Sequence, residues 1–193
     1  MSRSFSVLVF LAACIAALCL PACERQPIAP KSAEAQTGAR ALAGDPDAIA
    51  EVGRNYMTGA SGYPLDAGKA RDMFEFAAQK GSGAGLFYLG LLAYEGQGSA
   101  PDIRQACGLF AQSAARKHPG GLREYGECQL QGVGGVAKDP RAAAESFRAS
   151  IANGGVQAYE SLARLYDSGE GIARDPQEAA RLRQRRDVLR GVR

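Results

Sequence analysis

The chain has 193 residues, a length for one or two domains, with 46% hydrophobic residues, 7% aromatic and no Trp. Alanine (36) and glycine (24) make up nearly a third of it without a Gly-X-Y period, which excludes collagen, and an apolar content near one half with a net charge of only +3 excludes a disordered chain. The single histidine, His118, removes His-ligated zinc clusters and most His-based general-base arrangements, and the small net charge carries no nucleic-acid footprint.

The N-terminus reads as an export signal over residues 1–22: Arg3 in a short basic region, an apolar run over 5–20, then Pro21 and Ala22. A run of sixteen residues falls short of the roughly 20 needed to span a bilayer. Leu20-Pro21-Ala22-Cys23 resembles a bacterial lipobox, in which the cysteine is lipid-modified and becomes the first mature residue. A competing match, Leu11-Ala12-Ala13-Cys14, leaves the apolar residues 15–20 on the mature terminus, so Cys23 is preferred. Ordinary cleavage with Cys23 as a free thiol is the alternative. The resemblance implies a membrane-anchored periplasmic protein, and Glu24 after the cysteine implies sorting to the outer membrane. Residues 23–32 carry Pro27 and Pro30 among polar residues, a composition suited to a spacer.

From residue 33 the chain is expected to be helical and repetitive. Asp66, Asp102, Asp139 and Asp175 recur at intervals of 36, 37 and 36 residues, each after a glycine-rich turn: Gly59 to Gly62, Gly96 and Gly98, Gly132 to Gly135, Gly169 and Gly171. Upstream of each turn a large apolar residue precedes a small one, in Val52-Gly53, Leu89-Gly90, Tyr125-Gly126 and Leu162-Ala163. Four residues after each Asp stands Ala (Ala70, Ala106, Ala143, Ala179), and eight after it Phe74, Phe110 and Phe147, with Arg183 in the fourth copy. Each unit therefore predicts a helical hairpin. Apolar or small residues four apart give the first helix a buried stripe, glycines supply the turn, and the Asp caps the second helix, with Pro140 and Pro176 at its favoured first position. The units run over about 44–80, 81–117, 118–153 and 154–190, and residues 33–43 match the second half of a unit, an N-terminal half-repeat.

The pattern Leu-Gly-x-x-x-Tyr-x-Gly-x-Gly followed by Asp-x-x-x-Ala-x-x-x-Phe, clearest over residues 89–110, resembles the Sel-one-like repeat, a short relative of the tetratricopeptide repeat. The resemblance implies an all-α fold, an α/α solenoid wound as a right-handed superhelix over residues 33–193, with a concave face that binds protein. It implies an exported adaptor or envelope-assembly lipoprotein, or an immunity protein that neutralises a secreted toxic effector. Val52 and Tyr125 in place of Leu, and Ala163 in place of Gly, depart from the pattern locally.

Of five cysteines, Cys14 and Cys19 leave with the signal and Cys23 carries lipid, so Cys107 and Cys128 remain. Export places them in an oxidising compartment. One lies near the start of the second helix of a unit and the other near the end of the next first helix, about equally far from the turn at 117–119. Antiparallel packing then sets them side by side as a disulfide; two separate buried thiols are the alternative.

Activity against β-lactams is associated with cysteine-rich members of the resembled family, so a hydrolase acting on β-lactam or cell-wall substrates is a third reading. The chain contains neither Ser-x-x-Lys nor Gly-x-Ser-x-Gly, and His118 precedes Pro119 in an inter-helix turn, where it is expected to be exposed. Gly81-Ser82-Gly83-Ala84-Gly85 joins two helices and lacks the lysine of a phosphate loop. No catalytic residue, metal ligand or cofactor is assigned.

The binding face is expected at positions two before, one before and two after the key apolar residue of each first helix, which point away from the packed stripe. These are Glu51 and Arg54; Phe87, Tyr88 and Leu91; Arg123 and Glu127; Glu160 and Arg164. The first helix of the second unit is apolar nearly all round, so neighbouring repeats or a partner must cover it, and flanking arginines suit the rim of a protein interface. Residues 174–193 hold seven Arg against three acids, a surface for an acidic partner or anionic lipid, or a solvated capping face.

Overall fold

The computed structural model describes residues 33–97 and 100–191. The signal-like segment, Cys23 and the spacer lie outside the described residues, as does Gly98. The described residues form nine helices and no strand: α1 (Ala33–Leu42), α2 (Pro46–Thr58), α3 (Ala67–Gln79), α4 (Gly83–Glu95), α5 (Ile103–Ala115), α6 (Pro119–Gln131), α7 (Pro140–Ala152), α8 (Ala158–Ser168) and α9 (Pro176–Arg190). The repeating Asp is the N-cap of every second helix. Asp66, Asp102, Asp139 and Asp175 each accept a hydrogen bond from the backbone N–H two or three residues on, satisfying donors that have no partner inside the helix. Each of these Asp residues also donates its own backbone N–H to a carbonyl near the end of the preceding first helix, at 2.8–2.9 Å, which folds the turn back on itself. The first helices end on Gly59, Gly96, Gly132 and Gly169 with φ of 67° to 75°, where a side chain would be strained.

The hairpins α2–α3, α4–α5, α6–α7 and α8–α9 pack in sequence order, and each second helix also packs against the next first helix. This is an α/α solenoid, as the repeat pattern predicts. Within a unit the decisive contact is aromatic ring on glycine. Phe74, Phe110 and Phe147 are buried, and a Cβ added at Gly53, Gly90 or Gly126 would lie only 2.7, 2.5 or 2.6 Å from the ring seated there. Between units the start of the next unit approaches the previous second helix as closely. A Cβ on Gly121 would strike the Ser113 hydroxyl at 2.2 Å, and one on Gly155 the Ser150 hydroxyl at the same distance. Those two buried hydroxyls donate to the carbonyls of Gly83 and Pro119, at 2.6 and 2.7 Å.

Cys107 of α5 and Cys128 of α6 are joined by a disulfide, with Cα atoms 6.1 Å apart, that ties the second unit to the third. His118 corrects an expectation. It is half-buried rather than exposed, because its Nδ1 accepts the Gly121 backbone N–H at 3.2 Å as the cap of α6 and its ring lies 4.9 Å from that of Phe87.

Candidate functional site

The first helices stand beside one another and form one face: α2 packs on α4 and α4 on α6, while the Glu127–Arg164 ion pair joins α6 to α8 at 2.6 Å. Three positions per helix shape this face. The first unit supplies Glu51, which pairs with Arg54 at 3.4 Å and accepts the Thr37 hydroxyl at 3.2 Å. Tyr88 shares their electrostatic environment, and burial pushes its phenol above the usual tyrosine range. Its ring stacks on Phe74 at 4.7 Å, so half of it serves the interior.

Phe87 and Leu91 occupy the seam toward the next unit. The Phe87 ring leaves so little room over Gly120 that a Cβ there would approach to 2.8 Å, and Leu91 packs on the cluster containing the disulfide. Neighbouring repeats therefore cover much of the apolar helix α4.

Farther along the same face, Arg123, Glu127 and Arg164 converge with Glu124 and Tyr94 around a cavity of about 290 Å³, one wall of which is the Cys107–Cys128 disulfide. Arg123 pairs with Glu124, and Glu127 accepts both the Arg164 guanidinium and the Ser161 hydroxyl, the latter at 2.7 Å. Burial raises the Glu124 carboxyl above the usual carboxylate range; Arg123 opposes the rise and Glu127 adds to it. Tyr94 keeps 55% of its surface exposed at the cavity rim. Glu160 is directed elsewhere, toward Arg183 at 3.3 Å and Arg186 of α9.

The structure thus brings together three of the expected residues, Arg123, Glu127 and Arg164, and adds three that the sequence reading passes over. Glu124 and Ser161 stand in the register slot of Glu51 and Tyr88, one before the key apolar residue, so periodicity alone identifies them. Tyr94 belongs to the repeat pattern itself and reads as framework. The cavity joins acids, arginines and a phenol without a nucleophile paired to a base, and among the described residues no group of three or more His, Cys, Asp or Glu is placed to hold a metal ion. No described helix is long and apolar enough to cross a membrane.

The Sel1 repeat model matches residues 46–82, 83–118, 119–154 and 156–184, one hairpin after another. The chain belongs to the Sel1 repeat family. Sel1 repeats mediate protein–protein interaction as a class. Two similar proteins are cytochrome c oxidase assembly factor 7 of Xenopus tropicalis, 25% identical over 146 residues that cover 72% of this chain and 63% of that one, and assembly factor 7A of Xenopus laevis, 25% identical over 140 residues covering 70% and 61%. The chain therefore spans less than two thirds of the length of these relatives. Among solved structures, a protective antigen of uropathogenic Escherichia coli with an SLR fold superposes with a TM-score of 0.64 at 26% identity, over 81% of this chain and 33% of that one. A Sel1 repeat protein of Oxalobacter formigenes gives 0.61 at 24%, over 82% and 62%, and shows the fold alone.

Proposed function

We propose that this Sel1 repeat protein is a non-catalytic adaptor of the bacterial envelope, anchored by lipid at Cys23, facing the periplasm from the outer membrane, and holding a protein partner on the face of α2, α4, α6 and α8. The observation that carries the binding reading is the cavity bounded by Tyr94, Arg123, Glu124, Glu127 and Arg164, which opens on the first-helix face and presents both signs of charge beside an exposed phenol. Tyr and Arg in a partly desolvated pocket are the side chains that most often dominate interface energy, with rim charges contributing less. The apolar run over residues 5–20 and the Leu-Pro-Ala-Cys context support export and anchoring. The Xenopus relatives are named as assembly factors, which favours an adaptor over an immunity protein.

The test joins location to binding. Cys23→Ser should move the protein from membrane to soluble fraction, since stable attachment needs more than one acyl chain, and an unmodified mature N-terminus by mass spectrometry removes the anchor from the reading. The domain from residue 31 onward, immobilised and exposed to envelope extract, should retain a partner whose binding falls at least about tenfold, roughly 1.4 kcal/mol, with Tyr94→Ala or Arg164→Glu at unchanged helicity. A partner held equally by both variants places the binding face elsewhere.

A further inference from the structure

The outer side of the stack holds two grooves in the same repeat register, one at each end. The N-terminal one, about 580 Å³ between α1 and α3, is walled by apolar side chains such as Leu42, Met73 and Phe76. The C-terminal one, about 450 Å³ between α7 and α9, keeps an apolar floor of Ile151, Leu162 and Leu182 but is rimmed by Arg148, Arg181 and Arg185. We propose that this C-terminal groove binds an acidic peptide segment of a partner protein, with the peptide's apolar side chains on the floor and its carboxylates on the three arginines.

The arginines of α9 divide by task. Arg183 and Arg186 are engaged inside the last unit by Glu160, Asp167 and Asp187. The rim arginines are held more loosely. Among the described residues Arg148 reaches only the neutral Tyr166 hydroxyl at 3.2 Å, and Arg185 makes no ion pair. Arg181 pairs with Glu178 at 3.2 Å in an exposed geometry, the kind of pair worth little in water and readily exchanged for another carboxylate. Three guanidinium groups thus face one carboxylate over an apolar slot, and guanidinium forks match carboxylates in a bidentate manner. A walled slot with room for a few side chains fits a peptide better than a flat lipid surface. The groove lies on the second-helix side, so the inference stands independently of the first-helix face.

The probe is a fluorescent synthetic peptide of about twelve residues, rich in Glu with Leu at every fourth position, against the same peptide with Lys for Glu. We expect saturable, salt-sensitive binding of the acidic peptide alone, amide shift changes confined to α7, α8 and α9, and at least a tenfold loss in an Arg148→Gln, Arg185→Gln double variant whose circular dichroism is unchanged. Arg164→Glu should leave this binding intact, which separates it from the first-helix face. Absence of acidic-peptide binding, equal binding by the double variant, or capture of phosphatidylglycerol vesicles without the peptide would overturn the proposal.

Discussion

The seam between the second and third units and the closing unit of the stack meet the same packing problem with opposite chemistry. In the third unit and at its seam with the second the means are apolar and covalent: within the unit the Phe147 ring fills the space over Gly126, and across the seam Phe87 lies over Gly120, a disulfide joins α5 to α6, and His118 caps α6. In the closing unit Ala163 replaces the glycine, Arg183 replaces the phenylalanine, and Arg183 turns to Asp167 at 2.7 Å and to Glu160. Its first helix has Gln157 at the N-cap position, with no side-chain cap hydrogen bond. Inner repeats are enclosed on both sides, whereas a terminal repeat must present a polar outer face to water. The two substitutions are therefore one change: without a ring pressing on the first helix, the extra methyl of Ala163 has room and is buried.

The largest effect should separate the two regions by their eighth position after the Asp. Phe147→Ala removes a fully buried ring and is expected to cost about 3–5 kcal/mol. Arg183→Ala breaks half-exposed ion pairs and should cost under about 1 kcal/mol. Chemical denaturation of both variants checks this, and equal costs would erase the distinction.

Reduction tests the covalent half of the inner seam. Closing a loop with a sequence separation of 21 stabilises a fold by about 3 kcal/mol in the chain-entropy model. Reduced protein, or Cys107→Ala with Cys128→Ala, should melt at lower temperature with its helix content kept. Two titratable thiols in protein purified from an oxidising compartment would show that the bridge does not form there.

The glycine seat comes next. Gly126→Ala places a methyl 2.6 Å from the Phe147 ring and should cost about 1–3 kcal/mol through overpacking, although alanine is the better helix former. Ala163→Gly should also destabilise, by about 1 kcal/mol, from lost helix propensity and burial. Gly126→Ala combined with Phe147→Leu should recover part of the first cost, since the shorter side chain withdraws from the methyl. Thermal melts of the single and double variants decide it, and additive losses would mean that ring and glycine are not coupled.

The fold was legible because its determinants recur: four Asp caps, four left-handed glycines and three buried phenylalanines stand in register, so each copy corroborates the others. The individual pairings were less legible. Ala163 and Arg183 read as two separate departures, because nothing in a linear pattern says that these two positions of a unit are partners in space, as Gly126 and Phe147 are. On the binding face, periodicity gave the right helices and the slot that holds Glu124. It could not show that Phe87 turns into a seam over Gly120, or that Glu160 is drawn away by Arg183 and Arg186, since both outcomes depend on the next unit. His118 escaped the reading for a related reason: histidine is an uncommon cap, and the ring that half-buries it belongs to a helix some thirty residues earlier.

That cap supplies the smallest and most specific contrast between the two regions, because α6 begins on a titratable cap and α8 on none. Burial holds the His118 imidazole below the ordinary histidine range, and Asp47 opposes this weakly. The folded protein thus binds this proton less readily than the unfolded chain does. The stability His118 contributes is fully present above the unfolded value of about 6.5 and is lost as pH falls through the folded one. Geometry acts in the same direction: protonation puts a hydrogen on Nδ1, which then cannot accept the Gly121 N–H, and the first turn of α6 loses its cap. Glu124, raised by burial, has the opposite sign, since its contribution is lost as pH rises from about 4.5 through its folded value. A pH series on the wild type alone would mix the two groups. His118→Asn isolates the cap, because asparagine accepts the same N–H and does not titrate. Between about pH 7.5 and 5.5 the wild type should lose up to about 1 kcal/mol relative to this variant, the usual worth of a side-chain cap. Parallel melting curves for the two proteins across that range would show that the imidazole does not carry the difference.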